Sequence, residues 1–260
     1  MKDMTRRDVL GPLGIVAGGC VFSSCLSESR ATTLDGEKAS NSSWAYHALD
    51  PAITAEKAYR AYAKGSCMYG VVESVLSQLA EAYGEPYASF PVDMMRYGAG
   101  GTGSSGSLCG ALNGAAALIG LFVTSEEEMK QLVGQLFLWY EQSELPVYVP
   151  GEPTMDVAMP KSVSQSVLCH VSTTRWCTTS GHQAFSKPRK ERCRRLTADT
   201  AGKTVEVLNS HFNGRFAPAY SLSEEVKECK SCHTKGSEKS NSRGTMSCGN
   251  CHFSIAHEHP

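Results

Sequence analysis

The chain has 260 residues, 41% of them hydrophobic and 20% charged, with a formal net charge of −1. This composition supports a packed core and excludes wholesale disorder, and it lacks the clustered basic excess of a general nucleic-acid binder. Beyond the N-terminus no apolar run reaches ~18 residues, so no internal membrane span is expected; the outlier is cysteine, with 11.

The chain opens on adjacent arginines in Thr5-Arg6-Arg7-Asp8-Val9-Leu10, followed by a mildly apolar stretch from Val9 to Phe22. This pattern reads as a twin-arginine export signal over residues 1–30. A short buried helix is the competing reading, and Gly11, Pro12, Gly14, Gly18 and Gly19 argue against it. Ala17-Gly18-Gly19-Cys20 faintly resembles a lipoprotein cleavage box, with Ala17 where a larger apolar residue is expected. The expected location is the periplasm or the outer face of the cytoplasmic membrane. Residues 31–44 are polar and read as a linker.

From residue 45 to 215 the pattern is helical. Asp50-Pro51 is a helix start, because Asp caps and Pro suits the first helical position. That helix is predicted to run to Lys64 and to stop at Gly65. The next carries Val71, Val72, Val75, Leu76, Leu79 and Tyr83 at helical spacing and stops at Gly84. A third, Cys109 to Leu121, is small and apolar, which suits close packing. Ser125 and Glu128 form a capping box before Met129, Leu132, Val133, Leu136, Phe137 and Tyr140. Pro146, Pro150, Pro153 and Pro160 mark a long loop, and a last long helix is predicted over 190–210. The fold class is mainly α: a helical, cysteine-rich domain with an irregular C-terminal segment, residues 216–260.

That segment holds Cys229-Lys230-Ser231-Cys232-His233 and Cys248-Gly249-Asn250-Cys251-His252. In each C-x-x-C-H motif two thiols add across the vinyl groups of a haem, and the adjacent histidine reaches the iron. Two C-x-x-C pairs also suit zinc, but zinc does not need a histidine directly after each second cysteine, and an exported chain suits c-type haem. The motifs are separated by 14 residues, Thr234 to Ser247. Such a linker spans at most ~50 Å and, when flexible, nearer ~20 Å, so the two c-type haems are expected to be neighbours. A sixth ligand for each iron has to come from His47, His170, His182, His211, His257 or His259, or from Met246. His257 and His259, just past the second motif, are read as haem-binding residues.

Five cysteines remain after the signal and haem motifs: Cys67, Cys109, Cys169, Cys177 and Cys193. They admit a four-thiolate metal cluster with one spare, two disulfides with a free thiol, or buried inert cysteines. Cys67 opens a helix. Cys109 lies where the glycine-rich run Gly98–Gly106 enters a helix, so the helix N-terminus is expected to favour a thiolate there. Cys193 lies near the start of the last helix. Sites of this kind converging would suit an iron–sulfur cluster. The export route points the same way, since a twin-arginine signal is expected when a cofactor is inserted before export, and covalent haem is attached afterwards. Gly101-x-Gly103-x-x-Gly106 matches the dinucleotide fingerprint, but no buried strand precedes it, and no nucleotide is expected.

Cys67-Met68-Tyr69-Gly70, then Leu108-Cys109-Gly110-Ala111-Leu112-Asn113-Gly114, then Cys169 and Cys193, resemble the redox-active family named for its C, GCAxxG, C, C pattern. Ser107-Leu108 stand where that family commonly has Gly. With the paired C-x-x-C-H motifs, residues 45–260 resemble the split-Soret cytochromes c. The resemblance implies a homodimer with two neighbouring haems per subunit, two histidines on each iron, and an iron–sulfur centre in the helical domain. By position it implies Cys67, Cys109, Cys169 and Cys193 as the pattern cysteines, with Cys177 close enough to replace one. The expected function is electron transfer with redox partner proteins. The alternative is a small reductase using the cysteine cluster or an open haem face.

Overall fold

The computed structural model describes residues 44–252, and the expected export signal and His257 and His259 lie outside them. The described chain is mainly helical. Helix α1, Pro51–Tyr83, begins as expected: the Asp50 side chain accepts from the N–H groups of Ala52 and Ile53, at 2.7 and 3.1 Å. The two helices expected on either side of Gly65 are both present within this span, parted at Ser66, which has φ 68° and ψ −158°, and they fold back on each other: Lys57 Nζ meets Glu81 at 2.9 Å and Gln78 Nε2 donates to Thr54 Oγ1 at 3.0 Å. A Gly-Ser pair is a usual place for a sharp kink. The break lets Cys67 begin the second segment as though it opened a new helix.

Two 3-10 turns, Tyr87–Ser89 and Val92–Gly98, lead into the glycine loop. Helix α2 is Gly110–Phe122, with Cys109 as its N-cap. Helix α3, Glu126–Gln142, is capped by Ser125, whose hydroxyl accepts from Glu128 N–H at 3.4 Å. Helix α5, Lys187–Phe212, is longer at both ends than its hydrophobic pattern suggested. Ser186 caps it, and a Pro sits in its first turn.

Helix α4, Cys169–Ser180, was not expected. Its sequence, CHVSTTRWCTTS, is rich in Ser and Thr, which are weak helix formers. Tertiary contacts hold it instead. Trp176 is fully buried and donates its indole N–H to Pro160 O at 2.8 Å, and Ser172 is buried as well.

The proline-rich loop is closed by a two-residue antiparallel pair, β1 (Glu144–Leu145) with β2 (Ser162–Val163). Buried acids pin its tip. Asp199 accepts from Val147 N–H at 3.0 Å and Tyr148 N–H at 2.8 Å. Glu191 binds Tyr59, Thr154 and Arg195 at 2.6–2.9 Å.

Helix α1 runs along α5 and α2 and forms the centre of the core. Close packing is built from glycines. A Cβ on Gly110 would lie 2.1 Å from Gly98 O and 3.2 Å from Cys67 Cβ, and one on Gly114 would lie 2.8 Å from Met68 O. This spacing, four residues apart on one helix face, lets α2 touch the α1 backbone beside Cys67. No helix among the described residues is long and apolar enough to cross a membrane.

Candidate metal and haem sites

Four of the five unassigned cysteines line one buried cavity: Cys67, Cys109, Cys169 and Cys193. Different local devices bring each of them there. Leu108 and Leu168 form an antiparallel bridge, in which Cys109 N–H donates to Val167 O at 2.9 Å and Cys169 N–H to Ser107 O at 2.7 Å. That pairing sets the N-termini of α2 and α4 side by side. The glycine loop lies over α4, where a Cβ on Gly101 would come within 2.9 Å of Cys169 Cβ. Cys67 enters from the kink of α1, and Cys193 from the second turn of α5.

Cys177 is not part of the lining. It lies eight residues beyond Cys169 on the same helix, about 12 Å along its axis. In the structure the pattern cysteines converge without it.

Burial decides the state of the free thiols. It pushes the Cys67 and Cys109 thiols above the ordinary range, and Cys169 up to about 12. Burial therefore works against the preference for a thiolate expected at Cys109. The N–H groups of Ala111 and Leu112 do favour the anion, as does a hydrogen bond from Tyr140, but desolvation outweighs them.

The cavity also holds a cation that the sequence did not suggest. Arg192 is 2% exposed and lines the site. It donates to Ser172 Oγ at 2.8 Å and makes weak contacts to Cys193 Sγ at 4.0 Å, while its Nε has no partner. Ser172 Oγ is in turn 2.8 Å from the Tyr140 hydroxyl, which reaches Cys109. Arg189 approaches Cys193 Sγ at 3.8 Å from the outer side. Asp199 feels the charge of this buried guanidinium without a direct ion pair to it, so Arg192 still favours negative charge in the cavity. Metal-bound thiolates would supply it, so the donor set and the counter-charge fit a thiophilic metal centre. The cavity is about 10 Å³, room for one atom-sized guest. No group of three Cys, His, Asp or Glu among the described residues is already poised around a metal ion. A multi-atom cluster would require the lining side chains to move outward.

Sequence reading missed Tyr140, Ser172 and Arg192. Tyr140 falls in an apolar stripe and reads as core. Arg192 falls in the charged run Lys187–Arg195 and reads as solvated. The available signal was Arg192 next to a cysteine on the inward side of α5.

The first C-x-x-C-H motif ends a helix, and the second lies in a short helical stretch at the edge of the described residues. Helix α6, Glu224–His233, carries the first; Cys229 and Cys232 are three residues apart, and His233 is its last residue. Positions i, i+3 and i+4 share one helix face, so both thiols and the imidazole project together. Helix α7, Gly249–His252, carries the second, with Cys251 and His252 N–H donating to Cys248 O at 3.1 and 3.0 Å. Cys232 and Cys251 are exposed, and Val226 is the only buried side chain on α6. Accessible thiols on a helix with little core packing fit attachment of a large apolar ring.

The linker folds back on α6. Lys239 N–H donates to Cys232 O and Ser242 N–H to His233 O, both at 2.8 Å, and Lys230 Nζ donates to Gly244 O at 2.9 Å. The Cys248 thiol faces Cys229; burial, then Cys229 and Glu225, raise its pKa. The first cysteines of the two motifs are thus adjacent. His233 Nδ1 is 2.7 Å from Asn241 Oδ1. With the amide oxygen as acceptor, Nδ1 carries the proton and Nε2 the lone pair, the usual arrangement of a ligating histidine.

Other histidines are placed elsewhere. His47 stacks on Tyr83 at 3.7 Å, His182 on Trp176 at 5.8 Å, and His211 lies edge-on to Phe212 at the end of α5. His170 follows Cys169, its N–H bonded to Gly106 O. Met246 is exposed.

Residues 69–207 match the family model described as "Putative redox-active protein (C_GCAxxG_C_C)". The chain is 38% identical over 267 aligned residues to the split-Soret cytochrome c of Desulfovibrio desulfuricans, covering 96% of this chain and 95% of that protein. It also resembles a solved structure described as showing a novel iron centre in the split-Soret cytochrome c of that organism, with a TM-score of 0.78 and 39% identity over 84% of this chain and 93% of the other.

Proposed function

The chain belongs to the split-Soret cytochrome c family, built on the C_GCAxxG_C_C redox-active domain, and from that premise we propose that it is an exported dihaem electron carrier with a cysteine-held iron centre. The observation that carries the reading is the convergence of two intact C-x-x-C-H motifs, with Cys229 and Cys248 adjacent, in the same chain as four cysteines around one cavity.

Cys229 and Cys232 hold one haem and Cys248 and Cys251 the other, with His233 and His252 as iron ligands. Asn241 orients the His233 ring. Cys67, Cys109, Cys169 and Cys193 hold the second type of centre, proposed as an iron–sulfur cluster, and Arg192 balances its negative charge. Haem supplies a one-electron ferric/ferrous couple, and thiolate-bound iron supplies another. The protein's own work would be to hold the haems and the cysteine-bound centre rigidly, keep water from the thiols, and orient the histidines.

The proposal places the mature chain outside the cytoplasm through the arginine pair at Arg6-Arg7, and it includes a homodimer and protein redox partners. The sixth haem ligands are assigned to histidines, His257 and His259 among them, or to a histidine of the second copy. A carrier with both axial positions filled leaves no open iron. Carbon monoxide added to the reduced protein, or nitrite to either redox state, is expected to leave its spectrum unchanged. A carbon monoxide adduct or nitrite turnover would point to a reductase instead. In His233→Ala both haems should stay covalently attached while one changes spin state; an unchanged low-spin spectrum would remove His233 from the iron.

A further inference from the structure

The two attachment motifs are chemically alike but held differently. The second residue between the cysteines is not used in forming a thioether, so its contacts are free to serve another purpose. In the first motif it is Ser231, whose hydroxyl donates to Glu228 O of its own helix at 2.7 Å. In the second it is Asn250, which reaches into the helical domain on both sides of its amide. Asn250 Nδ2 donates to Gln165 O at 2.6 Å, and Arg175 Nη2 donates to Asn250 Oδ1 at 2.9 Å.

The segment it grips is rigid and leads directly to the thiols. Gln165 has φ 51°, a left-handed conformation, and its N–H is tied to Glu141 O at 2.9 Å. The flanking Ser164 and Ser166 are buried, with Ser164 Oγ bonded to Tyr140 O and Ser166 O. Two residues further on, Val167 O accepts from Cys109 N–H, and Cys169 follows. Arg175 lies on α4, the helix that Cys169 begins.

We propose that Asn250 and Arg175 form a clasp that fixes the second haem-attachment motif, and not the first, to the segment positioning Cys109 and Cys169. It deepens the functional reading above: the haem at Cys248 and Cys251 is the one in structural register with the thiol cavity, and Asn250 is a positioning residue between them. Local coupling of this kind requires a contiguous contact network, and here the network is two side-chain hydrogen bonds and one short loop.

The test uses the full chain carrying its haems. Asn250→Leu removes both hydrogen bonds at similar volume, Asn250→Asp removes the donor to Gln165 while keeping an acceptor for Arg175, and Ser231→Ala is the matched change in the first motif. Amide hydrogen exchange of residues 164–170 and the separate redox titrations of the two haems are the readouts. Asn250→Leu is expected to speed exchange in that segment at least tenfold and to shift the midpoint of one haem, while both haems stay attached. Asn250→Asp should give the same direction, and Ser231→Ala neither change. Should Asn250→Leu fail to mature, Arg175→Leu, outside the motif, gives the same comparison. Unchanged exchange in Asn250→Leu or Arg175→Leu, or equal effects from Ser231→Ala, would overturn the clasp. Absence of non-haem iron from the parent protein would count against the functional reading alone, because the exchange comparison needs only the folded chain.

Discussion

Cys109 shows how single residues carry the account. Its backbone caps α2, its N–H joins the bridge to Val167, and its thiol meets the Tyr140–Ser172–Arg192 chain. Replacing it with Ser leaves the backbone role intact and removes one of the proposed soft ligands. Cys109→Ser is expected to lose most non-haem iron while retaining both haems, measured by metal analysis beside the haem absorbance. Full retention of the iron signal would take Cys109 out of the site. Glu141 gives a second residue-scale test. Burial raises its carboxyl from 4.5 to about 7, and its Oε1 has no partner. The folded state therefore binds this proton more tightly than the unfolded state, so its contribution to stability falls as pH rises from about 4.5 to 7 and then levels off. Glu141→Gln should be near neutral at pH 4.5 and more stable than the parent by about 1–3 kcal/mol at pH 8. Denaturant unfolding at the two pH values reads this directly; a pH-independent difference would reassign the effect.

The elements are positioned by glycines and caps more than by hydrophobic stripes. Gly110 lets α2 lie against the Gly98 carbonyl beside Cys67, and a methyl group there meets backbone that cannot easily move. Gly110→Ala is expected to cost about 2–3 kcal/mol of stability. Gly134→Ala, on α3 with open space around the added carbon, should instead gain up to about 1 kcal/mol through helix propensity. Thermal unfolding of the pair separates packing from propensity. This scale also marks where the sequence was legible. Asp50-Pro51, Ser125 with Glu128, and the glycine before Ser66 all signal helix ends through local chemistry, and those ends were readable. Helix α4 was not, because its Ser/Thr-rich sequence argues against a helix and only Trp176, Ser172 and the bridge at Leu168 hold it. The join at Ser66 was half-readable: the stop at Gly65 was visible, but not that the chain turns back there so that the second segment packs against the first, with Glu81 on Lys57 and Gln78 on Thr54.

Across the whole molecule, the haem motifs and pattern cysteines could be recognised from residue type and spacing alone, whereas their surroundings could not. Which four of five cysteines converge depends on the α2–α4 bridge, and the buried Arg192 depends on how α5 faces the cavity. Neither is encoded in a short motif. The same holds for Asn250, whose role rests on a partner 85 residues away. In the proposed function, one helical scaffold joins two redox sites of different chemistry. The central claim is that the C-terminal segment holds haem covalently while the helical domain holds separate iron. Determining covalent haem and total iron on one sample of the purified, matured protein tests it most directly. Two haems per chain with iron in excess of haem is the predicted result; a colourless protein, or one whose metal is zinc, would contradict it.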